Sequence, residues 1–218
     1  MTDHMKSCKE VIEAVRQVLK TVTDENVSNE EKLCRLSSVL QCQSAGQNGA
    51  GLTGGQQQES LWVDMLTSAN VGFSQKSDFA IDDADYYFKD YPISHKTIGW
   101  NGNGALALAW SKNPPGGLQR TEFKASMAVA LTRKSSGGMW ANIPNGYYVV
   151  PLDYLQKNIE FSSNNKTDSL IKPDQVITAI RYANSVGLML PLAYNHEWGK
   201  GKHLSYWGAG LQGITNIN

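Results

Sequence analysis

The chain has 218 residues, 20 basic and 20 acidic, so its formal net charge is zero, and only 18% of its residues are charged. That length admits one substantial core or two small ones, and a chain with no positive excess gains little from counterion release, so there is no strong nucleic-acid signal. Three early cysteines without a Cys-x-x-Cys spacing exclude a disulfide framework and a structural zinc site, and no apolar run is long enough for a transmembrane segment.

The first 43 residues predict a helical hairpin (1–43). Cys8, Ile12, Val15, Leu19 and Val22 recur at spacings of four and three, which puts them on one helix face. Ser28 and Glu31 form a capping box ahead of a second stripe, Leu33, Leu36 and Leu40. Both stripes are packing surfaces. They are expected to bury against each other and the downstream domain, since two heptads fall short of an independent coiled coil; the alternative is an oligomerisation helix pair. The polar start "MTDHMKSCKE" lacks the apolar run of a signal peptide, so synthesis in the cytoplasm is expected, with a virion or particle as destination under the leading reading below.

Residues 44–59, "SAGQNGAGLTGGQQQE", read as a Gly/Gln-rich linker or loop, and 60–218 as a β-rich domain. "SLWVDML" fits one helical turn or a short strand. "IDDADYYFKDY" carries Asp82, Asp83, Asp85 and Asp90 but lacks the glycine and terminal glutamate of an EF-hand, so it reads as a solvated acidic loop over packed tyrosines. "GALALAW" (104–110) and "TEFKASMAVALTRK" (121–134) are expected strands, antiparallel neighbours across a Pro-Pro-Gly-Gly turn. "GYYVVPL" and "KNIEFSS" add two more. A late helix opens at Pro173-Asp174 and closes at Gly187, and "LMLPLAY" and "HLSYWGAGLQGI" end the chain as strands. The fold class is therefore α+β: an N-terminal helical hairpin, then a mainly antiparallel, sandwich-like β domain with one late helix.

The loudest chemical pattern is "YNHEWGKGKHLSYWGAG". A zincin needs two histidines four apart on a helix, whereas His203 follows His196 by seven residues and across two glycines. A third ligand such as His95 or Asp153 would have to come from far away. The segment reads as a hairpin tip, with His196, Glu197 and His203 the only candidates for a metal. No G-x-S-x-G elbow occurs, and "GWNGNGALAL" lacks the ending of a phosphate loop. No catalytic residue and no cofactor are assigned.

Trp100, Trp140, Tyr147, Tyr148, Trp198 and Trp207 are candidate interface or ligand-stacking residues: several stand next to Gly or Asn in expected loops, where large aromatics serve as subunit contacts or stack on ligands. Their alternative use is to staple loops onto a β core. The layout of helical start, glycine-rich joint and low-charge β body resembles virion and tail components and small pore-forming cytolysins, with no shared motif and so no residue roles implied. The leading expectation is a non-enzymatic, self-assembling structural protein, a homo-oligomer such as a viral coat or particle subunit. The alternatives are a module binding glycans or lipid headgroups through its aromatic loops, pore-forming in one version, and a metal-dependent or other hydrolase.

Overall fold

The computed structural model describes residues 2–23, 54–69, 71–75, 84–98, 106–107, 122–131, 138–160, 162–164, 168–194 and 214–217. Helix α1 runs Asp3–Thr23. Cys8, Val11, Ile12, Val15, Val18 and Leu19 form its buried stripe, while Lys6, Lys9 and Glu13 stay on the outer face. The second arm of the expected hairpin, with Leu33, Leu36 and Leu40, lies outside the described residues.

Helix α2 spans Gly54–Ser68 and so begins inside the stretch expected to be a linker. Two glycines at its first turn cost little there, and Trp62, Met65 and Leu66 bury against the sheet. Tertiary burial overrides the local composition.

Strands β1 (Phe73–Gln75), β2 (Tyr86–Phe88) and β3 (Tyr91–Ile98) form an antiparallel meander. The β2–β3 turn places Lys89 at φ 53. β4 (Leu106–Ala107) is followed by β5 (Ser126–Leu131), which pairs in parallel with β3. A short 3-10 turn at Gly138–Trp140 leads into β6 (Gly146–Val150), helix α3 (Leu152–Asn158) and strands β7 (Ser162–Asn164) and β8 (Asp168–Ile171). Helix α4 (Pro173–Ser185) precedes β9 (Met189–Tyr194) and β10 (Ile214–Ile217).

The main sheet has the order β1-β2-β3-β5-β6-β9-β10, antiparallel at every pair except β3–β5. β4, β8 and β7 form a separate three-stranded sheet. Helices pack on the main sheet: α1 on β6, β9 and β10, α2 on β1 and β3, and α4 on β6. The α+β class expected from the sequence is the one observed.

The expected pairing of residues 104–110 with 121–134 is corrected. β4 pairs with β8 instead, and β5 lies between β3 and β6. Every residue of "SMAVAL" is buried, on both faces of the sheet. Such an uninterrupted apolar run suits a central strand better than one side of a hairpin. α4 begins with Pro173 in its first turn, and Gly187 beyond its end takes the left-handed conformation at φ 75, both as the sequence predicts.

Candidate functional site

β3 is eight residues long and β2 only three, so β3 runs on beyond its partner. The last ladder position is Tyr86 opposite Ile93, closed by the Asp85 amide donating to the Ile93 carbonyl at 2.8 Å. Past that point the β3 amides meet carboxylates instead of another strand. His95 N–H donates to Asp85 Oδ2 at 2.6 Å, and the Thr97 amide bonds Glu59, which reaches over from α2. Ser94 Oγ adds a second bond to Asp85 Oδ2 at 3.2 Å.

Lys96 closes the group. Its Nζ lies 3.4 Å from Glu59 Oε2 and 3.6 Å from Asp85 Oδ2. The Lys96 side chain is only 3% exposed, whereas Glu59 and Asp85 keep 18% and 19% of theirs. The lysine side chain is thus the most buried of the three. Burial pushes the Glu59 carboxyl above its ordinary value, against the lowering pull of Lys96, and nearby Asp85 adds to the rise.

On the other side of β3, following the alternation of a strand, lies a buried aromatic layer. The His95 ring stacks on Trp62 of α2, centroids 5.6 Å apart at 28°. Its Nδ1 is 3.5 Å from the Tyr147 hydroxyl, which bonds the Tyr86 hydroxyl at 2.5 Å. His95 Nε2 and Thr97 Oγ1 are buried and have no partner among the described residues. Burial first, and Lys96 second, push the His95 imidazolium down to about 3, so the ring is neutral.

A second polar group lies where α1 crosses the start of β3. The Tyr91 hydroxyl bonds Ser126 Oγ at 2.7 Å and His4 Nδ1 at 2.9 Å, with Cys8 Sγ within 3.9 Å. Burial pushes the Cys8 thiol up to about 11, which favours its protonated form.

Among the residues singled out from the sequence, Ile12, Val15 and Leu19 are in the core. Trp140, Tyr147 and Tyr148 are corrected: they are buried, at 3%, 0% and 0% exposure, and present no ring to a neighbouring subunit or ligand. Tyr148 donates to the Pro144 carbonyl, and Tyr147 faces α2. Trp100, Trp198, Trp207, His196, Glu197 and His203 lie outside the described residues. Among the described residues no group of three or more His, Cys, Asp or Glu is placed to hold a metal. No described helix is long and apolar enough to cross a membrane.

Sequence reasoning met Asp85 as part of an acidic loop and missed Glu59 and Lys96. Lys96 did leave a signal: a lone cation between Ile93 and Ile98 in a strand whose interior positions are otherwise fit for burial. Glu59 left none, because its helix was hidden under a glycine- and glutamine-rich composition.

Neither a protein-family model nor a curated protein matches the chain. A solved structure described as "Restriction endonuclease in complex with substrate DNA" aligns over 79% of this chain and 78% of its own length, at 14% identity and a TM-score of 0.39. That neighbour is a nuclease, which runs against the expectation of a non-enzymatic coat or particle subunit; the expectation is withdrawn. At that similarity the likeness carries no argument about chemistry. Within the chain itself, the burial of Trp140, Tyr147 and Tyr148 removes three of the side chains on which the assembly reading stood.

Proposed function

We propose that the chain is a divalent-cation-dependent hydrolase of phosphodiesters, with Glu59 and Asp85 holding the cation and Lys96 charging the floor of the site. The observation that carries this reading is the layering of the ion group. A structural ion pair lets lysine extend its ammonium to water over an apolar stem. Here the lysine side chain is buried, and the two carboxylate side chains paired with it are less buried than it is. Burying a charge is expensive, and an apolar side chain would serve packing better. The arrangement makes sense if the carboxylates have an outside partner.

The donor set fits a hard cation such as Mg2+ or Mn2+, which takes oxygen ligands and is commonly held by one or two carboxylates plus substrate phosphate. Two carboxylates and one ammonium sum to a single negative charge, so a divalent ion leaves the site net positive and suited to a phosphodiester anion. Once bound, the cation supplies Lewis-acid polarisation of the phosphate. Lys96 holds the two carboxylates together against their repulsion and offers positive charge to the oxygens around phosphorus. The nearby hydroxyl of Ser94 is buried and bonded to Asp85, so in this reading the nucleophile is water.

DNA, named with the structural neighbour, is the first substrate to test, beside the small diester bis(p-nitrophenyl) phosphate. Hydrolysis should require Mg2+ or Mn2+. Glu59→Gln, Asp85→Asn and Lys96→Met should each lower the rate by about 10²-fold or more while circular dichroism stays unchanged. A wild-type chain inert toward duplex DNA, single-stranded DNA and the small diester with either ion would sink the proposal, as would three variants of undiminished rate.

A further inference from the structure

We infer that His95 is a positioning residue for the carboxylate–lysine site, acting through an aromatic stack that grips the three backbones carrying Glu59, Asp85 and Lys96. The inference rests on the reading of the site given above. Trp62 lies one helical turn beyond Glu59, Tyr86 directly follows Asp85, and His95 directly precedes Lys96. Each site residue therefore has a chain neighbour in the layer behind the sheet.

His95 is the centre of that layer. Its ring contacts Trp62 at 5.6 Å, Tyr147 at 5.6 Å and Tyr86 at 6.1 Å between centroids. The same residue's amide holds Asp85 Oδ2 at 2.6 Å. Ring and amide belong to one backbone unit, so a rotation of β3 that moved the ring would also move the bond to Asp85 and the root of Lys96. The Tyr86–Tyr147 hydroxyl bond ties the Asp85 end of β2 across to β6. A ring with a buried nitrogen that has no partner among the described residues is a poor choice for packing alone. Its cost is explained if an aromatic ring of that size at that point sets the spacing between α2 and β3, and with it the gap between the two carboxylates.

The test is Mn2+ binding to the full chain, read by titration calorimetry well below the melting temperature, with the metal-free melting curve of each variant beside it. His95→Gln keeps a neutral polar side chain but removes the ring, and Trp62→Leu opens the stack from the helix side. Both should weaken Mn2+ about tenfold or more, the range typical of lost support behind metal ligands. His95→Phe restores a ring between Trp62 and Tyr147 and should return the affinity close to wild type, whatever it does to melting. A purely structural His95 would shift melting in all three variants and leave affinity alone. Tenfold-weaker binding in His95→Phe as well would also overturn the stacking account. If Asp85→Asn abolishes binding while His95→Gln and Trp62→Leu bind like wild type, the inference fails and the site reading stands. If the wild-type chain binds no Mn2+, both fall.

Discussion

Two buried titratable groups within one site pull its acid stability in opposite directions. His95 is held down to about 3 from an ordinary 6.5, so the unfolded chain takes up a proton that the folded chain refuses. Its contribution is present above pH 6.5 and is lost as the pH falls toward about 3, with a slope of at most ~1.4 kcal/mol per pH unit for one proton. Glu59 is raised, so its contribution is present below the unfolded value of 4.5 and lost as the pH rises through the folded value. The wild-type melting temperature should therefore fall relative to that of His95→Phe as the pH is lowered from 6.5, and the gap should widen toward 3. Parallel melting curves for the two proteins across that range would mean that the ring is hydrated and titrates normally. Lys96 could have been read from the sequence as a cation misplaced in a strand. Its partners could not, because nothing local says that Glu59 comes within reach across 37 residues.

Elements whose signals are local were legible, and elements defined by partners were not. The α1 stripe and the ends of α4 are written in spacings of three and four and in single residues such as Pro173 and Gly187. The assignment of β5 to a parallel pair with β3, and of β4 to a second sheet, depends on contacts between distant segments that a period-two pattern does not encode. Residues 54–59 misled because their composition is that of a linker and only docking makes them helical. Two glycines test the difference between conformation and space. Gly187 sits at φ 75 with nothing within 4 Å of an added Cβ, so Gly187→Ala should cost about 1–2 kcal/mol through backbone strain alone. At Gly146 an added Cβ would meet the Leu190 carbonyl oxygen at 2.9 Å, so Gly146→Ala should cost about 1–3 kcal/mol by pushing β9 off β6. Urea midpoints report both, and hydrogen exchange should show loosened β6–β9 amides only in the second.

Across the whole molecule, the site is assembled from pieces that fold by different routes. Asp85 and Lys96 belong to one tight hairpin and meet through local pairing, whereas Glu59 arrives only when α2 docks. The overhang of β3 past β2 has a consequence for how the molecule breathes. Since the β3 edge beyond β2 is capped by a side chain from another element, opening of α2 and loss of the Glu59 cap are one event. On the proposed reading, a cation shared by Glu59 and Asp85 acts as a latch on that event and should slow it in proportion to occupancy, by RT ln(1 + [L]/Kd) in free energy. Hydrogen exchange of α2 amides, and of Thr97 on β3, should slow together when Mn2+ is added, and amides of the β6–β9 ladder should not follow. The metal ion would then be a timekeeper for one helix as well as a reagent.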